Sequence, residues 1–169
     1  MTISMYAASV PVFKQMLGGL NDILGKVQSQ CAEKKIEPQV LLSSRLFPDM
    51  FPLSRQVQIA CDFARGVSAR LAGLDVPIND DKEETVEALQ GLIARTLTFL
   101  DGLAAAHFDA SEDRQIVTRP GTPKEKRFTG QTYLLTYGLP QFFFHVTTAY
   151  AILRHNGVEL GKRDYMGSY

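Results

Sequence analysis

Residues 140–157 read PQFFFHVTTAYAILRHNG. On a helical wheel Phe142, Val146, Ala149 and Leu153 form an apolar centre, flanked by His145 and Ile152. Thr147, Ala151 and Arg154 face the other way, and Asn156-Gly157 supplies a stop signal. Phe143, Phe144 and Tyr150 carry the apolar surface round most of the circumference. A helix that is apolar nearly all round is buried on most sides. This segment therefore belongs inside a helical assembly, covered by the preceding loop and hairpin or by a second copy of the chain. A homodimer is the expectation.

Three further helical patterns lie upstream. Tyr6, Val10, Phe13, Leu17, Leu20, Leu24 and Val27 form one stripe between Ser4 and Lys35, with Ser4 as a predicted cap. Pro11 predicts a kink or a start, and Gly18-Gly19 could admit a close neighbour. Leu53, Val57, Cys61, Ala64, Val67 and Leu71 form a second stripe over 52–72, opened by Pro52 and stopped at Gly73. Val86, Leu89, Ile93, Thr96, Leu100 and Leu103 form a third, over 81–103, where Asp81-Lys82-Glu83-Glu84 resembles a capping box. PQVLLSSR, from Pro38, is long enough for two helical turns, and LFPDMFPL, from Leu46, reads as a packed apolar loop. RQIVTRPGTPKEKRFTG, from Arg114, has two β-prone runs about a Pro-Gly-Thr-Pro turn and predicts a small hairpin. Residues 130–137 read as a short helical lead-in, and VELGKRDYMGSY closes the sequence as a polar tail. The pattern predicts an all-α four-helix bundle, one domain over 1–169, with a small β-hairpin before the last helix.

The 169 residues have 45% hydrophobic and 21% charged content, and eighteen basic residues balance eighteen acidic ones. Without net charge there is no electrostatic case for nucleic acid or an anionic membrane as partner. The apolar runs are broken by charge or glycine, which argues against a membrane span. MTISMYAASVPVF lacks the basic and apolar regions of a signal peptide. Cys31 and Cys61 have no metal-type spacing and read as reduced thiols, so a soluble cytoplasmic protein is expected.

Chemical motifs are sparse. There is no phosphate-binding glycine loop, no G-x-S-x-G, no H-E-x-x-H and no E-x-x-H. The histidines are His107, His145 and His155. A metal shared within one helix needs ligands a turn apart, yet Thr148 and Ala149 stand three and four residues after His145. His155 lies about 15 Å further along the axis. His145, at the edge of the core, could meet Gln56, Gln58 or Asp62 from the second pattern. Its plainest role is a buried histidine satisfied by such a partner; a small-molecule, catalytic or metal site is the sharper alternative. Asp49, between two prolines, could cap the second helix, pair with Arg45 or face a ligand. Arg154-His155 with Lys162, Arg163 and Asp164 reads as a solvated helix end.

The phrases LFPDMFPLSRQVQIACDFA, ARLAG, FTGQTYLLTYGLPQFFFHVTTAYAILRHNG and GKRDYMG carry a resemblance over nearly the whole chain. It is to a family of small proteins classed as a domain of unknown function, allied to the DinB/YfiT-like helical bundles. The resemblance implies an up-down-down-up four-helix bundle, often dimeric. It also implies a superfamily in which three histidines commonly bind a divalent metal, one on the second helix and two as H-x-x-x-H on the fourth. Some members are thiol-dependent transferases using mycothiol, bacillithiol or glutathione. His145 matches the first histidine of the pair; Ala149 takes the place of the second, and the second helix has none. The expectation is a metal-free dimeric bundle without cofactor, binding a small molecule in a cleft near the last helix lined by Asp49, Gln58, Asp62 and His145. The competing reading is a metal- or thiol-dependent transferase or hydrolase, for which those four residues would have to converge and a divalent metal would be the cofactor.

Overall fold

Apolar periodicity organises four long helices in a computed structural model that describes residues 3–169. They are α1 (Val10–Lys34), α3 (Leu53–Ala72), α4 (Val86–Asp101) and α6 (Leu139–His155). Short helices α2 (Pro38–Leu42), α5 (Gly130–Thr132) and α7 (Lys162–Met166) join them, with strands β1 (Gln115–Thr118) and β2 (Lys126–Thr129).

Side-chain pairs fix the helix directions. Lys14 near the start of α1 pairs with Asp101 at the end of α4, and Gln28 meets Glu87 at 2.5 Å, so these helices are antiparallel. Phe13 packs on Phe142 with ring centroids 4.8 Å apart, and Gln30 Nε2 donates to the Gly157 carbonyl at 2.9 Å, so α1 and α6 run parallel. Near the end of α3, Val67 lies against Gly138 just before α6, while Gln56 near its start reaches His145. The order is up-down-down-up. Because α3 and α4 point the same way, residues 74–84 must carry the chain back along the bundle, and they do so without regular structure. Arg55 ties this return near its end, donating to Asp81 Oδ2 at 2.6 Å.

The stripes form one core. Phe13, Leu17, Leu53, Val57, Leu89, Ile93, Phe142 and Val146 are all sealed from solvent. The hairpin pairs Ile116 with Phe128 and Thr118 with Lys126, burying Ile116 and Thr118.

Several local expectations need correction. Ser4 accepts a bond from the Ala7 amide within a preceding turn, and α1 begins at Val10 with Pro11 in its first turn. Pro52 is the N-cap of α3, outside the helix. Asp81-Lys82-Glu83-Glu84 caps nothing; α4 starts at Val86, where Thr85 accepts from the Ala88 amide at 3.1 Å. The Arg55 pair holds Asp81 elsewhere, in a positive-φ conformation. The closing segment is partly folded. Val158 and Leu160 are buried, and α7 lies on α1, where the Lys26 ammonium donates to Asp164 at 2.7 Å. A Cβ on Gly19 would sit 3.1 Å from the Asp164 carbonyl, so glycine there permits that approach, while Gly18 faces open space. Cover for the broad apolar face of α6 also comes from this tail. Tyr165 packs on Tyr150 at 5.7 Å and its hydroxyl bonds Thr147 at 2.8 Å.

Candidate functional site

Between α3, the end of α6 nearest the hairpin, and the return segment lies an open cleft of about 1040 Å³. One wall is a face of α3 carrying Arg55, Ile59, Asp62, Phe63, Gly66 and Arg70 at three- and four-residue steps. The opposite wall carries Tyr133, Tyr137, Gln141, Phe144 and His145. These residues share one face by their three- and four-residue steps, along a π-helical turn over residues 133–138 and then α6. Pro140 has no N–H for the Thr136 carbonyl, and its ring crowds that carbonyl. The widened turn relieves both problems, and the Leu139 amide bonds back to Leu134. Gly138 lets this turn approach α3, since a Cβ there would lie 2.8 Å from Val67 Cγ2.

Aromatic rings line the cleft end to end. Phe128 contacts Tyr133 and Tyr137, with centroids at 5.7 and 5.3 Å. Tyr137 reaches Phe63 at 5.9 Å, and Phe63 stacks on His145 at 5.9 Å with the planes 17° apart. At the hairpin end Arg70 folds back over its own helix, donating to the Gly66 carbonyl at 3.0 Å and the Tyr133 hydroxyl at 3.2 Å. Gly66 makes the room, because a Cβ would stand 2.7 Å from that guanidinium. Burial pushes the Tyr133 phenol above its ordinary pKa, against the opposing pull of Arg70.

His145 is buried, and its Nδ1 lies 2.7 Å from Gln56 Oε1. Gln56 uses its amide nitrogen to donate to the Phe51 carbonyl at 3.0 Å, which turns its oxygen toward the imidazole. Nδ1 therefore carries the proton, and Nε2 is left as the acceptor of a side chain that lines the cleft. Burial, reinforced by the charge of Arg55, pushes the imidazole pKa down to about 4, so the ring is neutral at physiological pH. Asp62 accepts from Arg65 Nη2 at 2.5 Å. Burial raises the Asp62 pKa, helped by the nearby Asp81 charge and opposed by Arg65.

Of the four residues proposed from sequence, Asp49, Asp62 and His145 line this cleft. Asp49 is exposed at its mouth, and among the described residues it bonds neither Arg45, which donates to the Met50 carbonyl, nor the start of α3. Gln58 is directed away. Its oxygen accepts from Arg55 of the same helix at 3.2 Å and its nitrogen donates to Glu83 of the return segment at 3.2 Å, so both ends are taken up. The sequence reading missed Arg55, Arg70, Tyr133 and Tyr137. Their signal was a second stripe on each helix, polar and aromatic, running beside the apolar one.

The residues present do not fit the superfamily's three-histidine metal site. Ala149 is fully buried where the second histidine would stand, and α3 contains no histidine. Among the described residues no three His, Cys, Asp or Glu side chains gather in a metal-holding group. Cys61 is sealed in the core away from the cleft lining, and burial pushes its thiol up to about 12, so it stays protonated at neutral pH. Among the described residues, no helix is long and apolar enough to cross a membrane.

A crystal structure of a DinB family member protein from Shewanella denitrificans superposes with a TM-score of 0.91 at 44% identity, covering 98% of this chain and 93% of that one. No curated protein matches. The sequence profile described as a domain of unknown function (DUF1993) matches residues 5–166, from the turn before α1 to the last residue of α7. With nearly every element of the bundle inside that match and a DinB family structure superposing on it, the chain belongs to the DUF1993 family, allied to the DinB-like proteins.

Proposed function

We propose that this protein binds a small organic molecule in the cleft between α3 and α6, without a metal ion, and does so as a homodimer. One observation carries the reading: a cleft of about 1040 Å³ joins a continuous aromatic wall to a few convergent polar groups. Sites for small molecules combine apolar walls with sparse, well-placed polar atoms in this way. His145 suits such a site as a neutral acceptor held by Gln56. A transferase or hydrolase dependent on metal or thiol finds less support, because His145 lacks companion ligands and Cys61 stays protonated at neutral pH.

The test is a thermal-shift screen of small-molecule classes on purified protein, with metal analysis in parallel. The expected outcome is stabilisation by at least one organic class, lost in Phe63→Ala, with sub-stoichiometric metal and no effect of chelator on the melting temperature. Stoichiometric zinc or nickel, removed by chelator with loss of stability, would sink the metal-free reading. The cytoplasmic setting expected from the thiols belongs to the same proposal.

A further inference from the structure

We infer that the ligand of this cleft is an organic anion, a carboxylate, sulfonate or phosphate ester on a flat apolar body, with its charged end held by Arg70, Arg119 and Lys126. The inference rests on the small-molecule reading above and adds the ligand's chemical class and orientation. All three cations line the hairpin end of the cleft. Among the described residues, none of them is in an ion pair with a carboxylate. Arg55, the fourth cation of the cleft, differs in being committed to Asp81 at 2.6 Å. The two cleft carboxylates are Asp49, at the mouth near the start of α3, and Asp62, already paired with Arg65. From Arg55 to Arg70 the helix rises about 22 Å, so positive charge without compensation is concentrated at one end.

The fold concentrates it there. Arg70 is half-buried, and among the described residues its guanidinium donates to the Gly66 carbonyl and the Tyr133 hydroxyl alone, both neutral. Lys126 pairs across the hairpin with Thr118, and Arg119 follows in a positive-φ turn position. An anion bridging them would gain charge-assisted hydrogen bonds in a partly desolvated site, where such bonds are strongest. From that end the rings of Tyr137, Phe63 and His145 lead along the cleft, so a flat body would lie against them.

Two fluorescent probes separate the terms: anilinonaphthalene sulfonate, and phenylnaphthylamine, the same frame without the sulfonate. The native protein should bind the sulfonate about tenfold or more tightly than the neutral probe, with affinity falling as sodium chloride rises. Arg70→Gln, and separately the exposed pair Arg119→Gln with Lys126→Gln, should each weaken the sulfonate about tenfold and lower its affinity relative to the neutral probe. The hairpin pair keeps the test sound if Arg70→Gln unfolds. Equal affinity for both probes, or sulfonate binding indifferent to both variants, overturns the inference while leaving the small-molecule reading intact. Binding of neither probe, with an empty screen, overturns both.

Discussion

His145 shows how one side chain can be held neutral and fixed in orientation by its surroundings. The Phe51 carbonyl orients Gln56, Gln56 sets the imidazole tautomer, and burial keeps the ring uncharged. A histidine whose pKa falls from 6.5 unfolded to about 4 folded binds its proton more readily in the unfolded chain between those values. Its neutral form is therefore favourable above pH 6.5, and stability drains away as pH falls through the window toward 4, by up to about 3 kcal/mol. Urea midpoints measured across that range should fall more steeply for the native protein than for His145→Asn, which cannot titrate. Parallel slopes would show that the ring is not held neutral. The sequence made His145 conspicuous and put Gln56 among three possible partners. Choosing among them takes the relative rotation of α3 and α6, which no single helix encodes.

At the scale of elements, the long helices were legible because each repeats its apolar residues every three or four positions over many turns. Short elements were not. Five-residue α7 cannot hold together by itself. It depends on docking, through Asp164 to Lys26, Tyr165 to Thr147, and backbone packed over Gly19. The capping pattern at Asp81 was overridden by Arg55, a partner twenty-six positions away. Adjacent glycines give a controlled test of the α7 dock. Gly19→Ala should push α7 off α1, at a cost of about 1–3 kcal/mol, and speed tryptic cleavage after Lys162 and Arg163. Gly18→Ala meets nothing within 4 Å and should be neutral or stabilising by up to about 1 kcal/mol. Equal proteolysis of the two variants would mean that Gly19 does not govern the dock.

Across the whole molecule, apolar surface remains exposed, in the cleft at Phe51 and Phe144 and outside its lining at Phe47 and Leu135. Phe47, Phe51, Leu135 and Phe144 are each more than half exposed, which supports the proposed homodimer. Light scattering at micromolar concentration should give twice the 18.8 kDa chain mass, and Phe144→Lys with Phe47→Lys should return it to the monomer value. A monomeric mass for the native protein would remove the dimer from the proposal. The π turn ahead of α6 has a consequence at this scale as well. An α-helix advances about 100° per residue. The π turn spreads its extra residue over one turn at fewer degrees per residue, so deleting one residue between Tyr133 and Gly138 would leave the hairpin and Tyr133 in phase with α6. The cost would fall on the turn itself, where the carbonyl four residues before Pro140 would meet a ring with no N–H to offer it. The extra residue thus acts as slack that lets the chain pass a proline without turning the two halves of the binding wall apart, and losing it would cost local stability before it cost the site its alignment.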